Sequence, residues 1–159
     1  MARRGTTKFK SNLQEKKVAS EISGRTVIAS GSLWGSKGDV RSDNLLVECK
    51  TTDKDYYTLQ YSTWEKIYKE AAKDGLRTPV MCIDLEGGKQ RIAVVSFSFD
   101  TFPLSYLRVS AKGKSFRVRY TEDAVKVEFT SVLNRFGEPQ CLLVLPWSLF
   151  LHIRFLYFS

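Results

Sequence analysis

The run Leu45-Leu46-Val47-Glu48-Cys49-Lys50 constrains this chain more than any other stretch. Its apolar density reads as a buried strand, yet it carries a carboxylate and an ammonium two residues apart. Side chains alternate along a strand, so Glu48 and Lys50 share one face while Val47 and Cys49 meet the opposite layer. Burying charges is costly unless something compensates them. A plain Glu48–Lys50 salt bridge at a sheet edge is one compensator. A hard divalent cation is another, held through oxygen by Glu48 and by Asp39 upstream, with a backbone carbonyl such as that of Cys49 completing the ligands. Lys50 would then stand beside the ion, placed to orient or help deprotonate an attacking water and to offset charge on a phosphate.

Charge bears on the choice. Residues 1–17 hold Arg3, Arg4, Lys8, Lys10, Lys16 and Lys17 against Glu15 alone, in a chain of formal net charge +8. A basic arm of this kind suits a polyanionic partner, although a solubilising tail has the same composition. At 159 residues and 43% hydrophobic content the chain suits one folded domain rather than a disordered one. The expected division is a basic arm over 1–10, a core over about 11–99 and a C-terminal elaboration over about 100–159.

Cys49, Cys82 and Cys141 are widely separated and His152 is the one histidine, so no zinc-ligand spacing occurs. Buried, reduced thiols of an intracellular protein fit that pattern. The N-terminus lacks the apolar segment of a signal peptide. The C-terminal run "CLLVLPWSLFLHIRFLYF" is interrupted by Pro146 and carries His152 and Arg154, which suits a buried strand and helix better than a membrane span. The expectation is a cytoplasmic protein with no membrane partner.

Along the chain, Ser11 and Gln14 have capping-box spacing, and Val18, Ala19 and Ile22 supply an apolar stripe, predicting a helix over about 12–23 closed by Gly24. "TVIAS" reads as a short strand and "GSLWGSKGD" as a loop delivering Asp39. "STWE" predicts a second helix capped by Ser62, with Trp64, Ile67, Tyr68, Ala71 and Ala72 on one face and Gly75 at its end. "PVMCIDL" and "RIAVVSF" predict strands joined through Glu86-Gly87-Gly88-Lys89. "FRVRY" and "VKVEFT" alternate as a hairpin with one wet face would, "CLLVL" reads as a buried strand, and 147–158 as an apolar helix. The order implies an α/β domain with a mixed sheet. Phe150, Ile153, Leu156 and Tyr157 are open to two readings, a dimer interface or core burial.

An acid, a spacer and Glu-x-Lys on a strand resemble the PD-(D/E)XK nuclease superfamily. Over about residues 3–96 the chain is more specifically similar to archaeal-type Holliday junction resolvases, whose relatives occur in bacteriophages. "RRGTTKF" resembles that family's basic opening, "VIASGS" its strand and Ser-Gly-Ser loop, "VECKTTDKDYY" its Glu-x-Lys strand and charged turn, and "STWEKIYKEAAKDGLRTPVMCI" its next helix and strand. The loop between Ser32 and Asp39 is longer than the family's, and residues after Asp100 have no match.

The resemblance implies a restriction-endonuclease-like core, two metal-binding acids at Asp39 and Glu48, and a catalytic lysine at Lys50. It matches the family's helix-borne acid to Glu15, with Glu21 as the fallback, and its loop serines near the scissile phosphate to Ser30 and Ser32, which are otherwise ordinary turn residues. Arg3, Arg4, Lys8, Lys10, Lys16 and Lys54 are candidate DNA contacts. So are Gln60 before the second helix, and Trp34 with Lys37 in the loop, where Trp34 also suits a core anchor. The function implied is a Mg²⁺-dependent homodimer (Mn²⁺ able to substitute) that cuts four-way DNA junctions in symmetric pairs. Restriction or repair nucleases share the acid-acid-lysine core, and a non-catalytic DNA-binding protein would also explain the charge.

Overall fold

The computed structural model of the chain describes residues 7–27, 39–97 and 105–157, the side chains of 7–9 and 155–157 excepted. A helix α1 (Thr7–Glu21) is followed by short strands β1 (Arg25–Thr26) and β2 (Val40–Arg41), then β3 (Leu45–Thr51) and β4 (Tyr56–Gln60). Helix α2 (Tyr61–Lys73) leads to β5 (Thr78–Leu85), a 3-10 turn and β6 (Gln90–Ser96). Strands β7 (Tyr106–Ala111), β8 (Ser115–Arg119), β9 (Ala124–Leu133) and β10 (Pro139–Pro146) precede α3 (Trp147–Tyr157).

Eight strands form one mixed sheet in the order β1-β2-β3-β5-β6-β10-β9-β7. The β3–β5 and β7–β9 pairs are parallel and the remainder antiparallel. The expected mixed α/β sheet flanked by helices is present, and the chain ends in a strand hairpin and a helix. The alternation of β5 sorts the core into two layers: Val80 and Cys82 pack with α1 and α3, while Met81, Ile83 and Leu85 pack with α2, β4 and β8.

Parallel neighbours need crossovers. β3 reaches β5 through β4 and α2, and β7 reaches β9 through β8. Both crossovers pack on the same side, and β4 and β8 pair with each other as a separate antiparallel ribbon. "FRVRY" and "VKVEFT" therefore do not form the expected hairpin. The alternation seen in "FRVRY" is real, but its buried Val118 faces β4's side of the core, whereas β9 makes the C-terminal hairpin with β10.

Helix boundaries also differ from expectation. α1 begins at Thr7, so Ser11 lies inside it rather than at its cap. Ser23 takes the left-handed turn after α1, at φ 55°. Gly24 serves another purpose: a Cβ there would stand 2.8 Å from the Arg41 carbonyl oxygen, so glycine is what lets β2 approach. α2 begins at Tyr61 with Gln60 in the capping position, which leaves Ser62 within the first turn. Phe150 and Ile153 are buried in the core beside α1, so this subunit's own packing consumes them.

Candidate active site

The site forms where β2 leaves β3. β2 is two residues long, so the C-terminal half of β3 has β5 on one side and no ladder partner from β2 on the other. Asp39, just before β2, donates its backbone N–H to the Val47 carbonyl at 3.0 Å. Its carboxylate then accepts the next outward N–H of β3, that of Cys49, at 2.8 Å. The side chain of Asp39 thus takes the place of the strand that has ended. The N–H and carbonyl of one strand residue point to the same edge, so the Cys49 carbonyl faces the edge where Asp39 lies.

Glu48 and Lys50 point to the opposite face from Cys49, toward α2, and their charged atoms stand 3.4 Å apart. They line a cavity of about 330 Å³ with Ser62, Thr63, Lys66, Ile67 and Glu70. The side chain of Gln60 makes no capping bond at the start of this helix, so the first-turn N–H groups of α2 are not capped by that residue.

α1 brings in Glu15 through its neighbour Gln14. The Gln14 side chain is buried, and its Nε2 donates to the Lys50 carbonyl at 2.8 Å and the Cys82 carbonyl at 3.1 Å. That contact fixes the rotation of the helix and turns Glu15 toward the carboxylates at the β3 edge. Burial, then the charges of Asp39 and Glu48, raise the Glu15 pKa to about 7. Burial and Asp39 also raise Glu48, against the opposing pull of Lys50. Burial alone would lower Lys50, but Glu48, Tyr57 and Asp39 outweigh it and hold the amine above its ordinary value. Lys50 is therefore an ammonium in this arrangement and not itself a base.

The Cys49 thiol is pushed well up by its contact with Cys82 and by burial, so it remains protonated. Tyr57 is likewise raised, by burial and by Glu48 against the opposing pull of Lys50.

Glu21 is engaged elsewhere, accepting from Arg91 at 3.0 Å in a group completed by Asp84. Lys10 binds Asp53 at 2.6 Å and so ties α1 to the β3–β4 connection. Lys16 and Lys54 are exposed, and Gln60 lies on the outer face of the ribbon rather than among the cavity-lining residues. Arg3, Arg4, Ser30, Ser32, Trp34 and Lys37, with the side chain of Lys8, lie outside the described residues. Sequence reasoning missed Tyr57, Thr63, Lys66 and Glu70. Thr63, Lys66, Ile67 and Glu70 recur at i, i+3, i+4, i+7, a face legible once Ser62 is not taken as the cap.

Among the described residues no three His, Cys, Asp or Glu groups stand close enough to chelate an ion as they are. The donors on this edge are nevertheless hard oxygens: the Asp39 and Glu48 carboxylates, Glu15 within electrostatic range, and the Cys49 carbonyl. This is the chemistry that suits Mg²⁺ or Mn²⁺ and not a soft metal. Among the described residues no helix is long and apolar enough to cross a membrane.

No family model and no curated protein matches the sequence. Among solved structures, the chain is similar to Archaeoglobus fulgidus Hjc, a Holliday junction resolvase from an archaeal hyperthermophile, at 14% identity. The overlap covers 72% of this chain and 88% of that one, with a TM-score of 0.43.

Proposed function

We propose that this chain is a structure-selective endodeoxyribonuclease that resolves four-way DNA junctions by paired, metal-dependent phosphodiester hydrolysis. The observation that carries the reading is the gathering of Glu15, Asp39 and Glu48 at one edge, where burial and then the charges of Asp39 and Glu48 lift Glu15 to about 7, and where Lys50 stands 3.4 Å from Glu48. Asp39 has a structural partner in the Cys49 N–H, whereas Glu15 and Glu48 stand near it at an electrostatic cost to the fold. Asp39 and Glu48 would hold a divalent ion, Mg²⁺ with Mn²⁺ able to substitute, and Glu15 would reach it directly or through water. Such an ion supplies Lewis acidity toward a phosphate oxygen and lowers the pKa of bound water.

The chain's own groups divide the remaining work. Lys50, held as a cation, offsets charge on the phosphate. Glu15, where it meets the ion only through water, is placed to accept a proton from that water. Tyr57 and the Ser62 and Thr63 hydroxyls are donors placed to orient phosphate oxygens. The basic segment at the start of the chain holds the DNA arms through phosphates. A two-fold homodimer presents two such sites to a junction of matching symmetry.

Cleavage of an immobile four-way junction and of a linear duplex of the same sequence, each with Mg²⁺ and with EDTA, tests the substrate assignment. The expected outcome is paired symmetric nicks in the junction, with the duplex spared and EDTA abolishing cutting. Equal cutting of both substrates would make the protein a general nuclease, and no cutting with any divalent metal would remove catalysis from the account.

A further inference from the structure

The β4–β8 ribbon has a feature that its packing does not explain. In its register Tyr56 lies opposite Arg119, Thr58 opposite Arg117 and Gln60 opposite Ser115. Leu59 and Val118, the alternating partners, are buried in the core. The outer face is thus Tyr56, Thr58, Gln60, Ser115, Arg117 and Arg119. Three cations converge on the Tyr56 ring: Arg117 at 4.7 Å, Arg119 at 5.2 Å and Lys54 at 5.3 Å from its centroid.

Asp55 pairs with Arg119 at 3.0 Å, but both groups are exposed and such a pair contributes little. Among the described residues no carboxylate pairs with Arg117 or Lys54. Beyond the ribbon's far end the β7–β8 turn adds Lys112 and Lys114, both exposed, and the Lys114 carbonyl accepts the Tyr61 N–H at the start of α2 at 2.8 Å.

Like charges gathered round one ring repel each other, and the ring's π face relieves only part of that repulsion. A line of phosphates relieves it fully and releases counterions. The ribbon's inner face borders the candidate active site. Tyr57, the inward neighbour of Tyr56, lies beside Lys50, and β4 runs into the α2 turn whose Ser62 and Thr63 line the cavity.

We propose that the outer face of the β4–β8 ribbon, through Arg117, Arg119, Lys54 and the face of Tyr56, is a second binding surface for the nucleic-acid phosphate backbone. It holds the stretch of DNA that leads away from the cleavage site. The choice of DNA as ligand rests on the nuclease reading, whereas the cationic surface does not. It assigns a role to β8, in the part of the chain that has no counterpart in the sequence resemblance.

The test is the salt dependence of binding to a fluorescent four-way junction in EDTA, for wild type, Arg117→Gln/Arg119→Gln, and a control of equal charge loss, Lys69→Gln/Arg135→Gln, on α2 and the β9–β10 turn. Circular dichroism checks that each variant folds. Losing two phosphate contacts lowers the log–log salt slope by about 2 and weakens binding about tenfold or more near 0.1 M salt. The control keeps the wild-type slope. A ribbon variant with the wild-type slope, or a control that loses as much, overturns the proposal. Cleavage by wild type in Mg²⁺, run alongside, separates the two readings. Cutting with an unchanged ribbon slope defeats the ribbon alone, while a reduced slope without cutting defeats only the nuclease reading.

Discussion

Glu15 binds its proton more tightly in the folded chain than in the unfolded one, with a pKa of about 7 against an ordinary 4.5. Between those values the folded state carries the extra proton, so stability is lost as pH rises through the window. Glu48, also raised, acts in the same sense. Urea unfolding in EDTA should therefore give a higher midpoint at pH 5 than at pH 7.5. The Glu15 share is on the order of 1 kcal/mol once discounted for its half-exposed carboxyl, and Glu15→Gln should remove that share. Asp39 separates charge from architecture. Asp39→Asn keeps an acceptor for the Cys49 N–H and should fold close to wild type while losing metal-dependent activity. Asp39→Ala orphans that N–H and should cost about 1–3 kcal/mol by calorimetry. The positions of Asp39, Glu48 and Lys50 were legible because alternation dictates which strand residues share a face. The convergence of Glu15 was not, since it depends on a helix rotation set by Gln14 reaching two main-chain carbonyls 36 and 68 residues away.

Secondary-structure elements were legible where burial imposes a period and illegible where pairing partners are distant. α2 and the strands β3, β5, β6 and β10 follow from apolar patterning, and the turn after β5 follows from its glycines. β4 was hidden inside a polar stretch, "DKDYYTLQ", because its pairing with β8 spans more than fifty residues and only Leu59 is fully buried. The starts of both helices were misplaced because a serine with a Glu or Gln three residues on suits a helix interior as well as a cap. Gly24 matters at this scale, where the end of α1 meets β2. Gly24→Ala drives a Cβ against the Arg41 carbonyl and should destabilise the protein by about 1–3 kcal/mol. Because β2 carries Asp39 with it, activity should fall further than stability predicts. Thermal melts compared with cleavage rates measured well below the melting temperature check this.

Across the whole molecule, β7, β9 and β10 continue the same sheet that holds the site. β10 lies between β6 and β9, and its Leu142, Leu143, Val144 and Leu145 are buried in both layers of the core. A chain ending at residue 104 would expose β6 as a long apolar edge and should aggregate or remain unfolded, as soluble yield and circular dichroism would show. That continuity was illegible because β10 reads as a buried strand without revealing which neighbour it joins. The central claim, that one edge of β3 is a nuclease centre, is tested most directly by Lys50→Ala acting on an immobile four-way junction with Mg²⁺. The account predicts that the variant binds the junction, since one of many cations is lost, but makes none of the paired nicks that wild type makes. Undiminished nicking by the folded variant would contradict it.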